Sequence, residues 1–202
     1  VHMAADGNDV AKARQILGGM ELEPEELLEL AKALKGKNEF GYAWRILARA
    51  RRSSDLTPKL STELRQQQAL CTYKDTHLHE DDRLERALAI LGDGEDLETT
   101  TDPETLGLAG AIHKRRWQVR KHKRELETAL DYYRRGHQHD HQSDFRQKQG
   151  YPGINAAFVL DLLASLEEGQ ADASNDAINP AATRRTEAAA IREEIIQGLE
   201  SR

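Results

Sequence analysis

The sequence predicts an all-α protein built from antiparallel helix pairs. Two observations support this prediction: the composition, and a helical spacing of apolar residues that repeats along the chain. Charged residues make up 32% of the 202 residues, aromatic residues only 5% and apolar residues 38%. Leu, Ala, Glu, Arg and Gln are abundant, and all of them favour helix. Such a composition suits an array of helices with a thin core and much exposed surface.

The clearest copy of the repeated spacing lies in residues 24–54. One segment has apolar residues at helical intervals, and the next segment has them again, mostly as small residues: Leu27, Leu30, Ala31 and Leu34, then Ala43, Leu47 and Ala50. Small residues allow two helices to approach closely, and large ones fill the gaps beside them. One pair cannot bury its own apolar face, so pairs must stack on neighbours. We therefore predict a right-handed superhelix of helix pairs.

Helix start and stop signals extend this pattern over a single domain, residues 4–202. Pro24, Pro58, Pro103 and Pro180 each stand where a helix is expected to begin. The approximate repeats are 7–20 (partial), 24–54, 58–94, 102–137 and 151–201, which amount to about nine helices. Residues 75–82 and 137–149 are predicted loops, the connection after His113 is expected to be about seven residues longer than usual, and 169–179 read as a flexible link. Residues 1–3 are typical of a cloning remnant.

Composition argues against several broad classes. The net charge of −6 gives no general reason to expect nucleic-acid or membrane binding. No apolar run is long enough to cross a bilayer, and no signal peptide is visible. The single cysteine, Cys71, fits a reducing cytoplasm and is interpreted as a small, semi-buried helix residue rather than a reactive thiol.

Catalytic and cofactor-binding motifs are absent from the sequence. There is no Gly-rich phosphate loop and no nucleophile elbow, and His79-Glu80 lacks the second histidine of a zinc-protease helix. We therefore expect no enzyme activity and no cofactor. Trp44 and Trp117 are interpreted as packing residues.

The predicted binding site is the groove lined by the first helix of each pair. Aligning the repeats places five cations and one amide at positions that face this groove: Lys32, Lys35, Lys74, Lys114, Arg115 and Asn155. Ammonium, guanidinium and amide groups donate several hydrogen bonds and suit a carboxylate. The sequence thus favours a protein or acidic peptide ligand, although the same lysines would also be ordinary on a solvated face. The final helix is expected to cap the array or to mediate self-association.

Two other clusters suggest alternative functions. The basic segment 114–124 contains Trp117, and it could grip phosphates and stack a base, so nucleic-acid binding is the alternative function. Its acidic neighbours weaken that interpretation. The segment His137-Gln138-His139-Asp140-His141 could hold Zn²⁺ or Ni²⁺. No further ligand is visible nearby, so no metal site is predicted.

The chain resembles tetratricopeptide repeats in the spacing of residues 24–54. Four blocks add a narrower resemblance over about residues 60–168, namely 102–106, 110–114, 129–136 and 151–157 (Tyr-Pro-Gly-Ile-Asn-Ala-Ala). Their order is similar to the TRAF-binding region of the apoptosis-signal-regulating MAP kinase kinase kinases and its bacterial relatives. This resemblance implies a non-catalytic regulatory domain that recruits signalling partners within a larger protein.

Overall fold

The computed structural model describes residues 3–140, 151–169 and 180–200. Over these ranges it contains nine α-helices and no strand: α1 (Met3–Leu17), α2 (Pro24–Gly36), α3 (Phe40–Ala50), α4 (Pro58–Lys74), α5 (Glu80–Leu91), α6 (Pro103–Arg120), α7 (Lys123–Asp140), α8 (Tyr151–Glu168) and α9 (Pro180–Glu200). The predicted all-α, tetratricopeptide-like fold class is confirmed. None of the helices in the described ranges combines the length and the apolar character that a membrane span requires.

The chain divides into two compact units, which we call the N-terminal unit (Val1–Asp96) and the C-terminal unit (Leu97–Arg202). In the N-terminal unit α2 packs on α3, α3 on α4, and α4 on α5. In the C-terminal unit α6 packs on α7, α7 on α8, and α8 on α9. Helices that follow one another in sequence are thus neighbours in space within each unit. A single repeat domain over residues 4–202 stays a prediction.

The core of the N-terminal unit contains the apolar residues that define the predicted repeat. All seven are buried: Leu27, Leu30, Ala31, Leu34, Ala43, Leu47 and Ala50. Trp44 packs beside this core, and its indole Nε1 donates a hydrogen bond to Asp75 Oδ2 at 3.0 Å. Desolvation by burial raises the pKa of the Asp75 carboxyl, but hydrogen bonds from the His77 backbone, the Trp44 indole and the His77 side chain together outweigh it, and the pKa is lowered. Trp44 therefore has the packing role that the sequence predicts.

Side-chain caps begin two of the helices at the predicted places. The hydroxyl of Thr57 accepts a hydrogen bond from the backbone N–H of Leu60 at the start of α4. Asp102 Oδ1 accepts one from the N–H of Thr105 at 2.7 Å at the start of α6. Each satisfies a backbone donor that has no partner inside the helix. In both helices a proline follows the cap, where its missing N–H costs nothing.

The core of the C-terminal unit depends on a close approach between α6 and α7. Tyr133 is fully buried, and its ring lies against the backbone of Gly110. A methyl group on Gly110 would lie 2.8 Å from Tyr133 Cε1, closer than a carbon–carbon contact allows. Glycine at this position is therefore required by packing. Trp117 packs against the same core.

The long connection predicted after His113 is wrong. Helix α6 continues to Arg120 and α7 begins at Lys123, so the extra residues lengthen the helices instead of forming a loop. Lys121 ends α6 in the left-handed conformation, with φ 58°. The basic segment thus belongs mainly to the last turns of α6, and not to an extended loop.

Two further predicted loops also need correction. Helix α5 begins at Glu80, since three acidic residues favour its first turn, so the loop predicted at 75–82 ends earlier. Helix α7 extends through Asp140, which places His137 and His139 on a helix rather than in the predicted loop. The rest of that segment and residues 170–179 of the predicted link lie outside the described residues.

Candidate functional site

Lysines of the N-terminal unit that were predicted to line a groove have partners within the fold. Lys32 Nζ lies 2.9 Å from Glu29 and 2.9 Å from Glu63, so it bridges α2 and α4. The ammonium of Lys32 donates hydrogen bonds to both carboxylates, and these bonds, the one to Glu29 most strongly, raise the pKa of Lys32. The charge of Lys32 is compensated twice inside the unit, which leaves little attraction for an external carboxylate.

Lys35 and Lys74 make weaker contacts than Lys32. Lys35 Nζ donates a hydrogen bond to Gln67 Oε1 at 2.6 Å, and Lys74 Nζ lies 6.0 Å from the centre of the Phe40 ring. Both ammonium groups act electrostatically on the buried thiol of Cys71, and both lower its pKa. Desolvation is the stronger effect and raises the pKa of Cys71 to about 11. Cys71 is therefore an inert buried thiol, more completely buried than predicted.

In the C-terminal unit Lys114 of α6 and Asn155 of α8 are brought together. Lys114 Nζ donates a hydrogen bond to Asn155 Oδ1 at 2.7 Å, and Asn155 Nδ2 donates to the carbonyl oxygen of Tyr151 at 2.8 Å. The ammonium also lies over two aromatic rings, 5.5 Å from the centre of Tyr133 and 5.3 Å from that of Phe158. Among the described residues Lys114 has contacts with an amide and aromatic rings and with no carboxylate.

This environment orients Lys114 without neutralising it. The amide oxygen and the ring faces stabilise the cation, whereas burial disfavours the charged form and lowers the pKa of the ammonium. A carboxylate from outside the protein would supply the missing negative charge. Lys114 is therefore the best placed of the predicted cations to bind an acidic group.

Beside Lys114, helix α8 exposes a row of large apolar side chains. Tyr151, Ile154 and Phe158 are 47%, 48% and 48% exposed. Their spacing of three and four residues places them on one side of α8, together with Asn155. We call the surface formed by Lys114, Tyr151, Ile154, Asn155 and Phe158 the α8 face.

Sequence reasoning identified Lys114 and Asn155 but missed the apolar members of the α8 face. Helix α8 is apolar nearly all round, since Ala156, Val159 and Leu160 are buried on its opposite side. A stripe of exposed residues is hard to recognise when a second stripe forms the core. The signal was present as a surplus of large apolar residues over what one buried face needs.

Most of the remaining cations of the basic segment 114–124 contact residues of the same unit. Arg115 donates to Gln118 Oε1 at 2.9 Å. Glu125 Oε2 accepts a hydrogen bond from the imidazole Nδ1 of His113 at 2.7 Å. Its other oxygen, Oε1, lies within 4.0 Å of the guanidinium groups of Arg116 and Arg120. Much of the positive charge of this segment is therefore offset locally, which makes it a weaker phosphate site than its sequence suggests.

The histidine cluster is divided between two environments. His137 is buried, and its Nε2 lies 3.2 Å from Glu194 Oε2 on α9. His139 lies in the last turn of α7 and is partly exposed, and His141 falls outside the described residues. Among the residues that the structure describes, no three His, Cys, Asp or Glu side chains are close enough to share a metal ion.

Comparison with known proteins identifies the repeat family. The family model described as Tetratricopeptide Repeats-Sensor matches residues 39–160, more than half of the chain. No curated protein matches the chain, and no solved structure does. The resemblance to the TRAF-binding region of the kinases stays a prediction, since the matched model describes the repeat family alone.

Proposed function

The chain belongs to the Tetratricopeptide Repeats-Sensor family, and on this premise we propose that it is a protein-interaction module whose docking surface is the α8 face. Tetratricopeptide-type repeats generally mediate protein–protein interaction. The proposed ligand is a protein segment that carries apolar side chains and a carboxylate. Its role would be that of a scaffold or regulatory module within a larger signalling protein.

The observation that carries the proposal is the exposed apolar row on α8. Tyr151, Ile154 and Phe158 each leave about half of their surface in water, and all three lie within eight residues of sequence. Burying apolar surface contributes about 25 cal/mol per Å². A cluster of this kind beside a polar group is typical of a protein-interaction site.

Lys114 supports an acidic rather than a neutral ligand. Its ammonium is partly desolvated and has contacts with Asn155 and aromatic rings but with no carboxylate of the described residues. A carboxylate placed against it would gain a charge-assisted hydrogen bond without first displacing an existing ion pair. A ligand carboxylate that bound to Lys32 would have to compete with the carboxylates of Glu29 and Glu63.

The binding mode that fits this surface is a short amphipathic segment lying along α8. Apolar residues of the ligand would cover Ile154 and Phe158, and a carboxylate between or beside them would reach Lys114. An amphipathic helix presents side chains at such intervals when it binds a groove. Asn155 would hold Lys114 in place during binding, because its amide is itself fixed by the carbonyl oxygen of Tyr151.

Site-specific photocrosslinking tests the proposal. The photoreactive residue p-benzoylphenylalanine would replace Phe158 in one variant and the exposed Lys59 of α4 in a control variant. After irradiation in cells of the source organism and nuclease treatment, mass spectrometry would identify the crosslinked peptides. We expect peptides that contain apolar residues and an Asp or Glu from the Phe158 position alone.

The Lys114→Glu substitution sharpens this experiment. Added to the Phe158 crosslinking variant, it should abolish the specific product, whereas Lys59→Glu in the same background should leave it unchanged. The same products from positions 158 and 59, or products insensitive to Lys114→Glu, would contradict the proposal. Nucleic acid crosslinked in place of protein would favour the alternative function of the basic segment.

A further inference from the structure

A second exposed apolar patch lies on α9 of the C-terminal unit. Ile196 and Leu199 are 47% and 57% exposed and lie three residues apart. Glu193 precedes Ile196 by three residues and is also exposed, so these side chains share one side of the helix. The carboxylate of Glu193 accepts a hydrogen bond from Gln197 and makes no ion pair with any described residue. We call Glu193, Ile196 and Leu199 the α9 end.

We propose that the α9 end of one molecule docks on the α8 face of a second copy, which makes the chain self-associate head to tail. This inference rests on the proposed function of the α8 face as a docking surface and names a partner for it. The α9 end has the two features which that surface requires: apolar side chains at helical spacing, and a carboxylate one turn away. Ile196 and Leu199 would cover Ile154 and Phe158, and Glu193 would reach Lys114.

Charge complementarity selects this pairing over the two symmetric ones. If two α8 faces met, each would bring a Lys114 ammonium to the other, and two α9 ends would bring together two Glu193 carboxylates. Like charges at a desolvated contact are repulsive, whereas opposite charges set the register and favour the encounter. Only the contact between an α8 face and an α9 end joins apolar surface to apolar surface and opposite charges to each other.

The contact is expected to be weak when each molecule contributes only these residues. Each side offers two or three large side chains, fewer than the roughly 20–30 residues of a stable interface. Association should therefore be seen at high protein concentration and diminish with salt, because salt screens the attraction that brings Lys114 and Glu193 together.

Mixing two variants, each with one of the two surfaces disrupted, tests the head-to-tail arrangement. Phe158→Glu disrupts the α8 face, and Ile196→Glu disrupts the α9 end. Both positions are exposed, so both variants should fold, and circular dichroism checks this. In sedimentation velocity the unmodified chain should show a mass that rises with concentration, and each variant alone should remain monomeric. A mixture of the two should form a dimer, because one intact α8 face and one intact α9 end remain.

Exchanging the charges of Lys114 and Glu193 provides an independent test of the same contact. Lys114→Glu and Glu193→Lys should each suppress self-association, and a mixture of the two should restore it, since every contact between the two proteins then joins an acidic surface to a basic one. The double variant carrying both exchanges should associate with itself again. A restored mass would not follow if the single variants had merely damaged the fold.

The outcomes separate this inference from the proposed function. A chain that stays monomeric at every concentration, or a Phe158→Glu and Ile196→Glu mixture that fails to dimerise, overturns the self-association. A specific crosslink from position 158 to another protein would then still support the α8 face as a docking surface. Loss of that crosslink overturns the proposed function itself.

Discussion

The two units of the molecule present their predicted binding lysines in opposite ways. In the N-terminal unit Lys32 joins two carboxylates, and the leucines of α2 are buried in the core. In the C-terminal unit Lys114 contacts an amide and aromatic rings, and α8 exposes Ile154 and Phe158 beside it. The repeat pattern assigns comparable positions to both lysines. What differs is whether neighbouring side chains already satisfy the charge and cover the apolar surface.

This difference explains why Lys114 rather than Lys32 marks the candidate site among the described residues. A lysine held by two carboxylates contributes to the fold and attracts little else, whereas a partly desolvated ammonium without a counter-charge favours an external anion. An exposed apolar row adds affinity that a surface lysine alone does not have.

The close contact between α6 and α7 should make Gly110→Ala strongly destabilising. The new methyl group would lie within 3.0 Å of the buried Tyr133 ring, and overpacking of this kind costs about 1–3 kcal/mol. Hydrogen exchange followed by mass spectrometry should show faster exchange in α6 and α7. The control, Gly36→Ala in α2, places a methyl group where no heavy atom lies within 4 Å, and it should not destabilise its unit. Equal effects of the two substitutions would contradict the predicted packing requirement.

Asn155→Asp should weaken ligand capture without unfolding the unit. The new carboxylate would pair with Lys114 and give it the compensation that Lys32 already has. Crosslinking from position 158 is expected to fall about tenfold, which corresponds to about 1.4 kcal/mol. The matched change Gln67→Glu pairs a carboxylate with Lys35 in the N-terminal unit, and it should leave the crosslink unchanged. Undiminished capture by the Asn155→Asp variant would show that Lys114 does not bind the ligand's carboxylate.

Acid should loosen α9 because ion pairs hold it to α8. Hydrogen bonding to Arg184 first, and then to Lys123, lowers the pKa of Glu167. The stabilisation is therefore present above the ordinary pKa of a glutamate and is lost as the pH falls through the lower value in the folded state. It amounts to about 1 kcal/mol or less.

Hydrogen exchange of α9 measured across this pH range checks the prediction. After correction for intrinsic rates, protection of α9 should decrease toward acid in the unmodified chain. In a Glu167→Gln variant that decrease should be smaller. An identical pH profile in both proteins would mean that the Glu167 ion pairs do not stabilise the docking of α9.

Cys71 should react slowly with thiol reagents at neutral pH. Burial raises its pKa to about 11, and nearby Lys35 and Lys74 offset part of that rise. Because the thiol loses its proton more readily in the unfolded chain, stability should fall as the pH rises from the ordinary thiol pKa toward about 11. Lys35→Ala should slow alkylation further, and Lys59→Ala should not. Rapid alkylation of the folded protein at pH 8 would contradict the buried position of this thiol.

The sequence predicted most of the helices because their signals are local. Proline at the first turn, capping residues and the apolar spacing of 3.6 residues all act within one or two turns. The apolar spacing within residues 24–54 agrees with the structure, in which each of the seven residues that carry it is buried. The errors lie where a helix continues through polar residues, as in α6 to Arg120 and α7 to Asp140. There, packing on neighbouring helices decides the length, and no local signal records it.

Local signals in the sequence are thus enough to predict the fold class, the order of the helices and the residue types available for binding an acidic group. Tertiary packing determines which lysine is compensated and which apolar residues remain exposed. Lys32 meets Glu63, and Lys114 meets Asn155 and Phe158, across separations of 31 to 44 residues in the chain. Charge compensation and burial depend on such long-range neighbours, because both act through contacts of a few ångströms in space and not through proximity in sequence.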